Sequence, residues 1–87
     1  MPYLSDHAAK AERDRFVAIE AVADPLTIEC LEEIGVSQGW HCLEVGAGAG
    51  SIAAWLCYRV GTNGRVAATD LQTRFLEMIE APNLEVR

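Results

Sequence analysis

Basic residues are scarce in this 87-residue sequence: seven Lys and Arg stand against thirteen Asp and Glu, a formal charge of −6. A nucleic-acid surface needs clustered Lys and Arg, and an anionic membrane attracts the same groups. Neither partner fits this balance. Long apolar runs are missing too. The longest uncharged stretch, Val45 to Tyr58, has fourteen residues and is rich in glycine, short of the ~18–20 that span a bilayer. The first fifteen residues carry no apolar stretch of the signal-peptide kind. Cysteine is limited to Cys30, Cys42 and Cys57, an odd number without Cys-x-x-Cys spacing. Each lies in an apolar segment, so free buried thiols in a reducing cytoplasm are the expectation, with no disulfide and no metal site. His7 and His41 are the only histidines, and no His/Cys/Asp/Glu spacing suggests a metal centre.

What remains is enough for one small folded domain: 51% of residues are hydrophobic and 23% charged. The chain divides near Gly39. Residues 1–39 read as a helical front and residues 40–87 as an alternating strand–helix half. In the front part, Ser5 or Asp6 can cap a helix running to about Ala23, with Ala9, Phe16, Ile19 and Ala23 as a thin apolar face. Asp24-Pro25 then predicts a second start, with Asp as N-cap and Pro at the first helical position. On this second helix Leu26, Cys30, Leu31 and Ile34 share one side, Glu29, Glu32 and Glu33 the solvated other, and Gly35 ends it.

Behind Gly39 the pattern changes. Trp40 to Val45 reads as a strand. Gly46-Ala47-Gly48-Ala49-Gly50 follows, and then a helix from Ser51 to Val60 with Ile52, Trp55, Leu56 and Val60 as its apolar stripe. Thr62-Asn63-Gly64 is a turn, Arg65 to Thr69 a second strand closing on Asp70. A third helix is expected from Thr73 to Ala81 with Phe75, Leu76 and Ile79 inward, stopped by Pro82. Leu84-Glu85-Val86 begins a third strand. Strand–helix–strand–helix–strand predicts an α/β fold with a parallel sheet. Both tryptophans are expected in the core.

Three features coincide in this half: glycines directly after a strand, a helix opening on them, and an acid at the tip of the next strand. Glycine lets a ligand approach the backbone and permits positive φ. The helix start offers N–H groups and partial positive charge to an anion. Asp70 can accept hydrogen bonds from two vicinal ribose hydroxyls. Together they describe a site for a ribose-bearing small molecule. The plainer roles are a tight turn for the glycines and an ordinary helix cap for Asp70. A P-loop is excluded, since no Gly-Lys-Ser/Thr is present. The dinucleotide pattern Gly-x-Gly-x-x-Gly fails from Gly46, because position 51 is Ser. From Gly48 it fits only with Ala53 in place of its last glycine, which keeps an NAD-type half-Rossmann domain as an alternative.

Glu44-Val45-Gly46-Ala47-Gly48-Ala49-Gly50 resembles motif I of the class I S-adenosylmethionine-dependent methyltransferases, Glu/Asp-x-Gly-x-Gly-x-Gly. The flanking Cys42-Leu43, Ser51 to Leu56 and Gly64 to Asp70 are also similar to that family, so the resemblance covers about residues 35 to 87. It implies S-adenosylmethionine as cofactor, with residues 40–87 as a partial Rossmann-like cofactor-binding domain truncated to about three strands and residues 1–39 as its helical lead-in or lid segment. Gly46, Ala47, Gly48 and Gly50 would form the loop beneath its methionine part, and Glu44 would help orient the amino group. Asp70 would bind the ribose hydroxyls and Leu71 would lie against adenine. Tyr3 and His7 fall in the segment that lids the cofactor in many relatives. Members of the family carry further strands, the fourth of which pairs beside the first. The resemblance therefore implies either the N-terminal part of a longer methyltransferase or a catalytically incomplete module that covers the open edge of Trp40–Val45 by self-association. It leaves the methyl acceptor and the catalytic residues unassigned.

Overall fold

In the computed structural model, residues 6–87 are described. Ser5 and Tyr3, offered above as a cap and a ligand contact, lie outside them. The described chain runs α1 (Asp6–Ile34), β1 (His41–Val45), α2 (Ser51–Val60), β2 (Arg65–Thr69), a short 3-10 turn (Leu76–Met78) and β3 (Leu84–Val86). The strands form one parallel sheet in the order β1-β2-β3. His41 pairs with Arg65 and Val45 with Thr69, so β1 and β2 finish level. That register brings the segments following both strands to the same end of the sheet.

α2 covers one face. Its Leu56, Cys57 and Val60 are buried with Val36 and Val66; Ala53 is buried with Ala47, Ala68 and Leu76. Small residues along α2 and β2 let the helix approach the sheet closely, and Gly64 fits where any Cβ would run into the Val60 side chain. Among the described residues, the other sheet face is bare. Leu43 and Val45 are 66% and 77% exposed, unusual for a parallel sheet, which is ordinarily covered on both sides. No helix of the described residues is long and apolar enough to cross a membrane.

Two expected elements differ. The front is one helix, not two: α1 continues through Pro25. Proline removes one N–H from the ladder. The carbonyl it would have served is that of Ala21, which is exposed and open to water, and Thr27 donates its hydroxyl to the Ala23 carbonyl one residue-pair along. Helical bonds therefore resume on both sides, and Asp24 caps nothing. Gly35, at φ 92°, ends the helix as expected. Its N–H reaches the Glu32 carbonyl and the Val36 N–H reaches that of Leu31, at 3.1 and 3.2 Å. Buried Val36 packs on Leu31, completing a Schellman stop.

The third helix, expected over Thr73–Ala81, shrinks to the turn Leu76–Met78. One α-type bond does form, from the Glu77 N–H to the Thr73 carbonyl, but the Met78 and Ile79 N–H groups then reach only three residues back, to Phe75 and Leu76. Ile79 is extended at ψ 124°, so the turn stops ahead of Pro82, whose ring disfavours a helical Ala81. Phe75 and Leu76 are nevertheless buried, as their pattern required. Trp55 packs half-buried beside Arg59, whereas Trp40 is 41% exposed at the open flank of the sheet and not in the core.

Candidate functional site

The glycine loop leaves the tip of β1 in backbone conformations that side chains resist: Gly46, Gly48 and Gly50 all have positive φ, at 73°, 61° and 92°. The loop is fastened to β2, not to β1 alone. The N–H groups of Gly46 and Ala47 both donate to the Thr69 carbonyl, at 2.8 and 2.9 Å. One residue on, the Gly48 N–H donates to Asp70 Oδ2 at 2.9 Å, while Asp70 Oδ1 accepts the Gln72 N–H at 3.1 Å. Glycine loop and spaced acid thus meet at the carboxyl end of the sheet. Asp70 shows part of its plainer role, an Asx turn. Each oxygen carries one internal bond and keeps accepting capacity, since a carboxylate offers about four lone-pair sites.

The three glycines do different things. A Cβ on Gly46 would meet nothing within 4 Å. A Cβ on Gly50 would strike Ile79 Cδ1 and stand 3.0 Å from Leu76 Cδ2, so this glycine serves the packing of the 3-10 segment on the start of α2. A Cβ on Gly48 would stand 3.3 Å from Phe16 Cδ1; here α1 itself leans on the loop. The Ala47 side chain is buried with Ala53, Ala68 and Leu76, so only its backbone is available to a ligand. Leu71 is fully exposed.

Gly46 is the ridge between two hollows. One, of about 220 Å³, lies under α1 and is lined by Phe16, Glu20, Asp24, Glu44, the loop and Ser51. The other, of about 430 Å³, lies at the strand tips and is lined by Val45, Gly46, Thr69, Asp70 and Leu71. Of the expected residues, Glu44, Gly46, Ala47 and Gly48 line the first and Gly46, Asp70 and Leu71 the second. Gly50 lines neither. His7 and His41 are exposed and line neither.

The first hollow is acidic. Glu44 Oε1 is buried without a hydrogen-bond partner. Burial, with the charges of Asp24 and Glu20 adding to it, pushes the Glu44 carboxyl up to about 7. Glu20 is engaged: its Oε2 accepts the Ser51 N–H, the first of α2, at 3.1 Å. Gly50, at the cap position of α2, has no side chain to do this. Phe16, Glu20 and Asp24 were not singled out from the sequence as site residues. They recur at i, i+4 and i+8, one face of a continuous helix. Reading a helix start at Asp24-Pro25 broke that face in two.

No family model matches the chain. Among curated proteins, a probable cobalt-precorrin-6B C(15)-methyltransferase (decarboxylating) of Thermoplasma volcanium is 28% identical over 65 residues, 75% of this chain and 32% of that protein. Among solved structures, an S-adenosylmethionine-dependent methyltransferase from Aquifex aeolicus superposes with a TM-score of 0.60 and 32% identity, over 68% of this chain and 35% of that one. The chain spans about a third of the length of the relatives it matches.

Proposed function

We infer that this chain, which belongs by sequence and fold with the class I S-adenosylmethionine-dependent methyltransferases, provides the cofactor-binding part of such an enzyme. One observation carries the reading: the Gly46 ridge, open to any ligand atom, joins an acidic hollow to a hollow that holds Asp70. A molecule with an amino-acid end, whose ammonium suits the acidic hollow, and a ribose matches both at once. Glu44, with an oxygen lacking a partner, is suited to an ammonium group. Asp70, already fixed by two backbone donors, is suited to vicinal hydroxyls. Leu71 offers an exposed apolar surface to adenine. The N–H of Gly46 is spent on Thr69, so this glycine contributes space and not a bond. When bound, the cofactor supplies a methyl group already activated by its sulfonium. The residues named here position it; the groups that would bind the methyl acceptor are not among them.

On this reading residues 1–39 act as the lid and 40–87 as the binding domain, and the three free thiols suit a cytoplasmic setting. The uncovered sheet favours a second element of the proposal. Leu43, Val45 and the unpaired edge of β1 present apolar surface and backbone donors together, which an additional strand or a second copy would bury. Light scattering tests this: a soluble monomer at high micromolar concentration contradicts self-association.

Calorimetry with S-adenosylmethionine, S-adenosylhomocysteine and NAD tests the cofactor. Heat from the first two with none from NAD is expected; heat from NAD alone overturns the assignment in favour of the dinucleotide alternative.

A further inference from the structure

We propose that Glu20 is a built-in occupant of the anion seat at the start of α2, so that α1 closes the hollow in the empty protein and yields it to a ligand carboxylate. The proposal rests on the cofactor reading above and adds its regulation.

The start of α2 is where an anion gains most from unpaired N–H groups and the helix dipole. In this chain the position is taken. The Glu20 carboxylate, on a different helix and thirty-one residues away, accepts the Ser51 N–H. The same helix lays Phe16 against Gly48 and lines the hollow with Asp24. A side-chain cap normally comes from the residue preceding the helix; that residue is Gly50, which supplies none. The cap has been delegated to the lid.

The lid is held lightly elsewhere. Only Ala9 of its twenty-nine residues is buried, while Val17, Ile19, Val22 and Leu26 are at least half exposed. Its C-terminal turn is fixed by the Schellman stop at Gly35, by Leu31 packed on the core and by a 3.7 Å Arg59–Glu32 pair. Ahead of that turn the attachments include ones that can be exchanged: the Phe16–Phe75 edge contact at 5.9 Å, Arg13 over Phe75, a 3.9 Å Arg74–Asp6 pair and the Glu20 cap. The closed arrangement also has a built-in cost, because it brings Glu20 and Asp24 to the hollow that contains the partnerless Glu44 oxygen. A ligand offering both a carboxylate and an ammonium replaces Glu20 at Ser51 and supplies Glu44 with a partner. A ligand offering only adenosine gains neither, since its contacts lie beyond the Gly46 ridge.

The test uses the 87-residue chain, its Glu20→Gln and Glu20→Ala variants, and Glu29→Gln on the exposed side of α1 as control. Amide hydrogen exchange without ligand reads the seat directly. In Glu20→Ala the Ser51 amide is expected to exchange about tenfold faster than in the parent; unchanged exchange overturns the proposal. Titration then compares S-adenosylhomocysteine, which carries the amino-acid end, with 5′-methylthioadenosine, which lacks it. Removing the internal competitor is expected to tighten the first by about three- to tenfold and leave the second unchanged. Equal tightening of both, or weaker binding of S-adenosylhomocysteine alone, overturns it; the latter makes Glu20 a ligand contact. Should neither nucleoside bind any variant, the cofactor reading falls, and the exchange rates alone support or overturn the lid.

Discussion

Replacing Glu44 with Gln keeps the shape of the side chain and removes its titration. In the folded chain burial, then the Asp24 and Glu20 charges, raise this carboxyl from 4.5 to about 7. Below pH 4.5 it is protonated in both folded and unfolded chains and favours neither. Between 4.5 and 7 the folded chain holds a proton that the unfolded chain has lost, so unfolding releases it. Stability therefore falls as pH rises through that window and is flat above it. At about 1.4 kcal/mol per pH unit the full span, from 4.5 to about 7, comes to about 3.4 kcal/mol. Water around a half-buried carboxyl reduces this to about 1–2 kcal/mol. The Gln variant lacks the dependence. Urea unfolding followed by circular dichroism at pH 5, 6, 7 and 8 should show the variant gaining about 1–2 kcal/mol on the parent between the lowest and highest pH. A constant offset, if the new amide is poorly satisfied, leaves that difference untouched. Parallel profiles for the two proteins would refute the placement of Glu44 in an acidic, desolvated hollow. The same residue connects stability to binding: a ligand ammonium favours the ionised form, so binding near pH 6 should expel a proton, read as a buffer-dependent heat.

Four further outcomes follow from particular contacts. Asp70→Ala loses the acceptors of the Gly48 and Gln72 N–H groups and should cost about 1–3 kcal/mol without ligand, with S-adenosylhomocysteine binding a further ten- to hundredfold weaker if its ribose is held there; unaltered affinity removes Asp70 from the ligand. Gly50→Ala drives a methyl into Ile79 and Leu76 at φ 92° and should destabilise by about 2–4 kcal/mol in thermal unfolding. Gly46→Ala meets open space, so its folding cost should stay near the 1–2 kcal/mol of its φ alone, while ligand affinity drops sharply in titration; intact affinity would mean that nothing crosses the ridge. A thiol reagent should modify exposed Cys30 at once and buried Cys57 only on unfolding, with burial raising the Cys57 thiol and slowing it further.

The strand–glycine–helix–strand–acid order of residues 40–70 was legible because each step is local. Short, largely apolar runs bounded by glycine and turn residues mark the strands, a 3.6-residue stripe marks α2, and glycines punctuate the turn between them. Even the burial of Phe75 and Leu76 could be read from spacing. What could not be read was competition between local signals. Asp24-Pro25 has the form of a helix start, yet α1 runs through it, because exposed Ala21 can give its carbonyl to water and helical bonds resume on both sides. Thr73–Ala81 has helical spacing, yet after one α-type bond its hydrogen bonds tighten to three residues and the backbone turns extended at Ile79.

The sequence by itself determined the chemistry available at the strand tips: a backbone without side chains, a carboxylate twenty residues later, and a helix to follow. Tertiary structure alone decided that a face of α1 lies across that backbone and that Glu20 stands at the start of α2. The reason is range. Strand, loop and helix signals act over a few residues, whereas a contact across thirty-one residues depends on how two independently formed elements come to rest, and no short pattern encodes that.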